Sequence, residues 1–169
     1  MHAAAAPAHE PVYHCRLRTR LGEIVLTSDG KALTGLYFEG QKHAPEVGSQ
    51  WRLDERAAPF SRAREQLEAY ADGRLRAFDL PLALAGTPFR QRVWEALRLV
   101  PYGETISYLA LARRIGAPKA VRAVGAAVGR NPVSVIVPCH RIVGSDGSLT
   151  GYAGGLERKR WLLAHESGA

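Results

Sequence analysis

The chain has 169 residues, a net charge of +7 and a hydrophobic content of 46%. This length and composition suit one compact domain or two small ones, and no apolar run is long enough to span a membrane. With two cysteines, a disulfide framework is not expected and a four-cysteine zinc site within one chain is excluded. The Ala-rich stretch Met1–Pro11 lacks the pattern of a secretion signal, so we expect a loose tail on a cytoplasmic protein.

The positive charge is confined to the second half of the chain. Residues 1–86 contain 11 Lys and Arg against 11 Asp and Glu, whereas residues 87–169 contain 12 against 5. We therefore predict two domains, 1–86 and 87–169. The basic half indicates a polyanionic partner, with nucleic acid as the leading candidate and a merely solvated basic surface as the alternative.

The first half predicts three strands followed by a helix. Alternating apolar residues indicate the strands, and Asp29-Gly30 between two of them is a hairpin signal. Leu67 and Tyr70 share one face of the predicted helix. The predicted elements are the strands Tyr13–Thr19, Glu23–Ser28 and Leu33–Phe38, a loop over Glu39–Pro59, the helix Ser61–Leu75 and an extended segment Phe78–Leu84.

The second half predicts a helix-turn-helix. Thr87-Pro88 is a helix start, because Thr caps the N-terminus and Pro suits the first helical position. Two further helices, about Ser107–Arg114 and about Lys119–Val128, are joined by a tight turn at Gly116. Small residues dominate the last of these helices, and a single arginine, Arg122, projects from it. That composition allows close approach to a nucleic-acid groove, although a buried Ala-rich helix is the alternative.

An apolar segment then leads to a reactive cysteine. The β-branched run Val133–Val137 predicts a buried strand that ends at Pro138 and presents Cys139. His140 and Arg141 are cationic neighbours that lower a thiol pKa and favour the nucleophilic thiolate. The alternative is that Cys139 is only a small buried apolar group.

The final helix, Leu156–Glu166, carries a carboxylate on its apolar face. Glu166 lies on the same face as Leu162 and Leu163, which predicts that it points inward and needs a partner. His140 is the predicted partner, since a carboxylate–imidazole–thiol relay would activate Cys139. A solvated carboxylate near the chain end is the alternative.

Together these motifs resemble the O6-alkylguanine-DNA alkyltransferases, also called methylated-DNA–protein-cysteine methyltransferases. The sequence motifs of the family recur closely over residues 87–166. Before residue 87 the resemblance is only in the predicted architecture. It rests on the segments Pro101–Tyr108, Arg122–Gly125, Asn131-Pro132, Ile136–Val143, Gly151–Leu156 and Trp161–Glu166.

The resemblance implies an α/β fold and a direct-reversal repair reaction. A ribonuclease-H-like α/β domain (1–86) would join a winged helix-turn-helix catalytic domain (87–169). The protein would flip O6-alkylguanine out of double-stranded DNA and transfer the alkyl group irreversibly to Cys139. Its main substrate would be O6-methylguanine, with O4-methylthymine as another.

The resemblance also implies roles for individual residues. His140 would take the Cys139 proton through a water, Glu166 would orient His140, and Tyr108 would protonate the departing guanine. Arg122 would fill the gap left by the flipped base, and Asn131 would brace the turn around the site. The remaining DNA- or substrate-binding residues would be Ala123 and Gly125 on the groove-docking helix, Ile142 through its carbonyl, Tyr152, and Ala153 through its amide.

No cofactor and no metal are predicted, and the protein would act as a monomer, with cooperative binding on DNA left open. Three other functions compete with repair. Alkyltransferase-like binding proteins lack the acceptor cysteine that Cys139 supplies. A helix-turn-helix regulator would need more base-reading side chains, and a Cys–His hydrolase would need an oxyanion hole that the sequence does not supply.

Overall fold

A computed structural model describes residues 11–168, so the predicted tail Met1–Pro11 falls, except for Pro11, outside the described residues. The chain forms an N-terminal sheet with one helix, followed by a mainly helical second half, in agreement with the predicted α/β class. The strands are β1 (Tyr13–Thr19), β2 (Gly22–Ser28), β3 (Leu33–Phe38), β4 (Arg52–Leu53), β5 (Ile106–Ser107) and β6 (Ile142–Val143). The helices are α1 (Phe60–Ala71), α2 (Pro88–Arg98), α3 (Tyr108–Arg114), α4 (Val121–Gly129) and α5 (Leu156–Ser167).

The N-terminal sheet has the strand order β3-β2-β1-β4. Its three long strands are antiparallel, with Cys15 opposite Leu26 and Leu26 opposite Leu36. β4 pairs with β1 in parallel, which corrects the prediction of an unbroken loop over Glu39–Pro59. The short strand escaped prediction because its two residues, Arg52 and Leu53, are both exposed and so show no apolar alternation.

Two segments of the first half differ from their predicted form. α1 ends at Ala71 rather than Leu75, because Gly73 adopts a left-handed φ of 74° and reverses the chain. The predicted extended segment Phe78–Leu84 borders β3: Leu33 N–H donates to Pro81 O and Ala83 N–H donates to Leu33 O, at 2.8 and 3.0 Å.

Side-chain caps begin two helices of the second half, one of them at the predicted cap Thr87. Thr87 accepts a hydrogen bond from Arg90 N–H at 3.2 Å and Ser107 accepts one from Ala110 N–H at 3.0 Å. α4 begins at Val121, two residues later than predicted, because the Ala120 N–H closes a turn onto the Ala117 carbonyl. α2, α3 and α4 pack together through buried residues, namely Val93, Trp94, Leu97, Leu111, Ala112, Val124 and Ala127.

The predicted buried strand Val133–Val137 is wrong. The run is buried, but it folds as consecutive tight turns in which Val137 N–H donates to Val133 O and Ile136 N–H donates to Ser134 O. Val135 takes a φ of 70°, a left-handed conformation that a β-branched residue rarely adopts. Burial explains the apolar composition. A single parallel bridge joins Val133 to Leu36 of β3, and the other hydrogen bonds of the run are local.

Across residues 11–168, no helix combines the length and apolar character that crossing a bilayer requires.

Candidate active site

Cys139 lies at the floor of a cavity of about 840 Å³. It begins a 3₁₀ turn, Cys139–Arg141, instead of ending a strand as predicted, and only 4% of its surface is exposed. The cavity has three walls: α4 between Gly125 and Arg130, the glycine-rich loop 151–155, and a segment from the N-terminal half that includes Lys42. The thiol therefore faces a space bounded by both halves of the chain.

Asn131 closes the turn that leads to Cys139. Its side-chain Nδ2 donates to Val137 O at 2.8 Å, and its Oδ1 accepts from Val133 N–H at 3.0 Å. Both ends of the turn are thus tied to one buried side chain. This bracing supports the left-handed backbone at Val135, since such a conformation persists only where the surroundings enforce it.

His140 and Glu166 form a buried pair. His140 Nε2 lies 2.7 Å from Glu166 Oε1, and neither side chain is appreciably exposed. A carboxylate only accepts hydrogen bonds, so Nε2 carries the proton and Nδ1 is left as the acceptor. Nδ1 is buried and has no hydrogen-bond partner within the described part of the chain.

Three further groups donate to Glu166. Arg141 donates from Nε to Oε2 and from Nη2 to Oε1, both at 2.8 Å, and Tyr70 Oη donates to Oε1 at 2.7 Å. Gly103 N–H lies 3.3 Å from Oε2. Burial alone would raise the pKa of Glu166, but the hydrogen bonds from His140 and Arg141 outweigh it and hold the pKa well below its usual range. Glu166 is therefore an ionised carboxylate at neutral pH.

Burial sets the proton positions of the other two groups. It lowers the pKa of His140 below 6.5, despite the opposing hydrogen bond from Glu166, so the imidazole is neutral at neutral pH. Burial also raises the pKa of Cys139, and the opposing effects of Asn131 and Lys159 are smaller. The predicted lowering of the thiol pKa by His140 and Arg141 is thus wrong, because desolvation dominates and the Arg141 charge is directed to Glu166. Cys139 rests as a thiol and needs a base.

Lys159 is a buried residue that the sequence analysis did not single out. Its Nζ donates to the carbonyls of Ile142 and Gly151, so it joins the chain after the 3₁₀ turn to the glycine-rich loop. Burial lowers its pKa. The signal was present, since Lys159 lies three residues before Leu162 and seven before Glu166, on the same helical face.

Tyr70 and Arg141 contact a different partner from the one that the sequence indicates. The sequence places Tyr70 on an apolar helix face and Arg141 beside the thiol, whereas both donate to Glu166. No local pattern indicates the Tyr70 contact, because the two residues are 96 positions apart.

The structure brings some predicted substrate-binding residues to the cavity and leaves others outside it. Tyr108, Gly125, Tyr152 and Ala153 line the cavity, and the Tyr152 hydroxyl is buried with no hydrogen-bond partner among residues 11–168. Arg122 and Ala123 are exposed on α4. Ile142 is buried in β6, and its carbonyl already accepts from Lys159.

A metal centre finds no support in the described range. No three His, Cys, Asp or Glu side chains between residues 11 and 168 are grouped so that they could hold a metal ion.

Comparison with known proteins identifies the family. Residues 12–84 match the 6-O-methylguanine DNA methyltransferase ribonuclease-like domain, and residues 88–168 match its DNA binding domain. A methylated-DNA–protein-cysteine methyltransferase of Haemophilus influenzae is 44% identical over 92% of this chain and 86% of its own. The protein of that name from Mycobacterium bovis is 48% identical over 92% of each chain.

A solved structure agrees with this assignment. The crystal structure of Mycobacterium tuberculosis OGT in complex with DNA superposes with a TM-score of 0.86 at 46% identity, over 92% of this chain and 93% of that one. The resemblance inferred from the motifs is confirmed over both halves: the chain belongs to the 6-O-methylguanine DNA methyltransferase family.

Proposed function

We propose that the chain repairs alkylated DNA by moving an alkyl group from O6 of guanine to Sγ of Cys139. One observation carries the proposal: Cys139 forms the floor of an open cavity beside His140, whose buried Nδ1 is an unsatisfied acceptor. The names of the curated relatives describe methyl transfer from DNA to a protein cysteine. O6-methylguanine is the main substrate in this proposal and O4-methylthymine is another.

The reaction begins with loss of the thiol proton. His140 Nδ1 accepts the proton of Cys139 through one bridging water, and Glu166 stabilises the imidazolium that results. Sγ then attacks the alkyl carbon, so that the S–C bond forms while the C–O6 bond breaks and its electron pair stays with the guanine. Tyr108 donates a proton to a ring nitrogen of that guanine. The thioether is not hydrolysed, so each molecule reacts once.

The attack requires that the base leave the DNA stack. Sγ must approach in line with the C–O6 bond, which stacked neighbours prevent, and flipping costs a few kcal/mol. We assign α4 to the minor groove, with Ala123 and Gly125 at the surface and Arg122 filling the gap. We place O6 near Tyr152 and the Ala153 amide, which line the cavity, and the exocyclic amine at the Cys139 and Ile142 carbonyls. Each carbonyl keeps a second lone pair for this bond.

The proposal assigns different roles to the two halves of the chain. Residues 87–169 form the DNA-binding and catalytic domain, which carries the whole excess of positive charge. Residues 1–86 form the domain that supports it. The protein acts as a monomer on double-stranded DNA, in the cytoplasm.

Mass spectrometry of the protein tests the reaction. After incubation with a duplex that contains O6-methylguanine, we expect a gain of one methyl group, mapped to Cys139. Cys139→Ala should abolish the gain and keep most of the DNA affinity. Cys15→Ala is the matched control, because Cys15 is buried in β1 and its pKa is raised to about 11 by burial. Repeated turnover with unmodified protein would contradict the proposal.

A further inference from the structure

Part of the cavity rim comes from the N-terminal half of the chain. Gly40, Lys42 and His43 follow β3 and line the cavity that has Cys139 at its floor. The backbone amide of Lys42 donates to the carbonyl of Ala153 at 3.1 Å, which joins this segment to the glycine-rich loop on the opposite half. We call residues 40–43 the rim segment.

The rim segment is held in a defined conformation. Gln41 is buried, and its Oε1 accepts from Phe38 N–H at 3.0 Å and from Ser134 Oγ at 3.4 Å. Ser134 belongs to the turns that precede Cys139, so the segment is anchored close to the reactive residue. Gly40 and His43 take left-handed φ values of 74° and 61°. These constraints place the two residues that follow Gln41, Lys42 and His43, at the cavity.

The charge of Lys42 is unpaired. Lys42 and His43 are exposed, and neither side chain forms an ion pair or hydrogen bond with another group in the described range. The neighbouring cation Arg158 differs, because its guanidinium donates to the carbonyls of Leu21 and Gly154. Lys42 is thus an exposed cation that lines the cavity and is available to a ligand.

A flipped nucleotide offers such a ligand at this place. The base enters the cavity, but its 5′ and 3′ phosphates stay in the DNA backbone and so remain at the mouth. We propose that Lys42, assisted by His43, binds a backbone phosphate next to the flipped nucleotide. The N-terminal half then contacts DNA and favours the extrahelical state. This inference rests on the proposed function and assigns a substrate-binding role to the rim segment.

Binding measurements in a Cys139→Ala background test the inference, because the lesion is not consumed there. Lys42→Ala should lower the affinity for a duplex containing O6-methylguanine and reduce the slope of log K against log salt by about 0.9, the value for one phosphate contact. His43→Ala should change affinity in the same direction. Lys31→Ala is the matched control, because Lys31 is an exposed lysine in the β2–β3 turn, outside the cavity.

Transfer kinetics with Cys139 in place distinguish a phosphate contact by Lys42 from a merely structural role of the rim segment. Lys42→Ala should slow transfer from the duplex and leave the rate with free O6-methylguanine base unchanged, since the free base has no phosphate. An unchanged salt slope, or equal slowing on both substrates, would overturn the inference. If the unsubstituted protein accepts no methyl group from either substrate, the proposed function itself fails, and the salt slopes still show whether Lys42 contacts phosphate.

Discussion

At the scale of single residues, burial shifts the pKa values of Cys139 and His140 in opposite directions. Desolvation disfavours charge, so it raises the pKa of the Cys139 thiol and lowers the pKa of the His140 imidazole. Both groups therefore rest in their neutral forms, and the ionised Glu166 is the fixed charge beside them. Because the thiolate is the nucleophilic form, the neutral thiol must lose its proton before it can attack.

This arrangement predicts the pH dependence of alkyl transfer. In the proposed mechanism, His140 accepts the thiol proton only when neutral. Because its pKa lies below 6.5, we expect the rate to be constant near neutral pH. The rate should fall only in acid, as His140 becomes protonated. Single-turnover transfer from a methylated duplex, measured between about pH 5 and pH 10, gives this profile.

His140→Gln provides the comparison for that profile. Without the imidazole, transfer should slow by a factor of about 10²–10⁴, the usual contribution of a general base. The remaining rate should then climb with pH beyond 9, because the raised pKa of Cys139 governs the thiolate fraction. If the unsubstituted protein shows the same alkaline rise and no acid limb, His140 is not the base.

At the scale of elements, the sequence predicts those whose signals are local. Capping by Thr87 and the hairpin at Asp29-Gly30 depend on neighbouring residues, and the structure contains α2 and the β2–β3 hairpin. The run Val133–Val137 does not follow its pattern, because β-branched residues report burial as well as strand formation. The decisive side chain is Asn131, whose two hydrogen bonds close the turns from outside the run.

The glycine-rich loop is held against the N-terminal sheet by Arg158. Its guanidinium donates to Leu21 O at 3.0 Å and Gly154 O at 2.9 Å, and it lies 4.6 Å from the centre of the Phe38 ring. The fit is close, since a Cβ at Gly154 would come within 2.7 Å of that ring. The loop that lines the cavity at Cys139 is therefore positioned by the first half of the chain.

Removal of the Arg158 guanidinium should slow alkyl transfer from every substrate. We expect Arg158→Ala to cost about 1.5–3 kcal/mol of stability, the range for hydrogen bonds to a charged group. It should also slow transfer from both the methylated duplex and the free base, because the loop loses its position in each case. Chemical denaturation and single-turnover rates measure the two effects.

Arg160→Ala is the matched control for Arg158→Ala, because Arg160 lies on the same helix with its side chain exposed. It should leave the free-base rate unchanged. Hydrogen exchange should show faster opening of residues 151–155 in Arg158→Ala alone. If Arg158→Ala keeps the unsubstituted rate of transfer from the free base and the unsubstituted hydrogen-exchange protection of residues 151–155, the loop keeps its position without Arg158.

At the scale of the whole molecule, the two halves share one core. Buried residues of the sheet, of α1 and of the C-terminal helices form a continuous cluster, and the Tyr70 hydroxyl of α1 bonds Glu166 of α5 across it. Sequence patterns identify the inward faces of each element. They do not identify which faces meet, because contacts such as Tyr70 with Glu166 join residues far apart in the chain.

This shared core predicts that acid weakens the protein as a unit. The folded pKa of His140 is below 6.5, so the unfolded chain binds that proton first and the free energy of unfolding falls as pH drops below 6.5. The folded pKa of Glu166 is also depressed, so its contribution is complete above 4.5 and is lost as pH falls further. Each group contributes a slope of at most about 1.4 kcal/mol per pH unit within its window.

Chemical denaturation at a series of pH values separates the loss of stability due to His140 from the loss due to Glu166. His140→Gln should flatten the loss of stability that begins at pH 6.5, because the group that binds the proton on unfolding is gone. The further loss below pH 4.5 should remain in that variant, since Glu166 keeps its bonds to Arg141 and Tyr70. Stability that stays constant or rises as pH falls from 7 to 5 would contradict the assignment of a buried neutral imidazole beside a buried carboxylate.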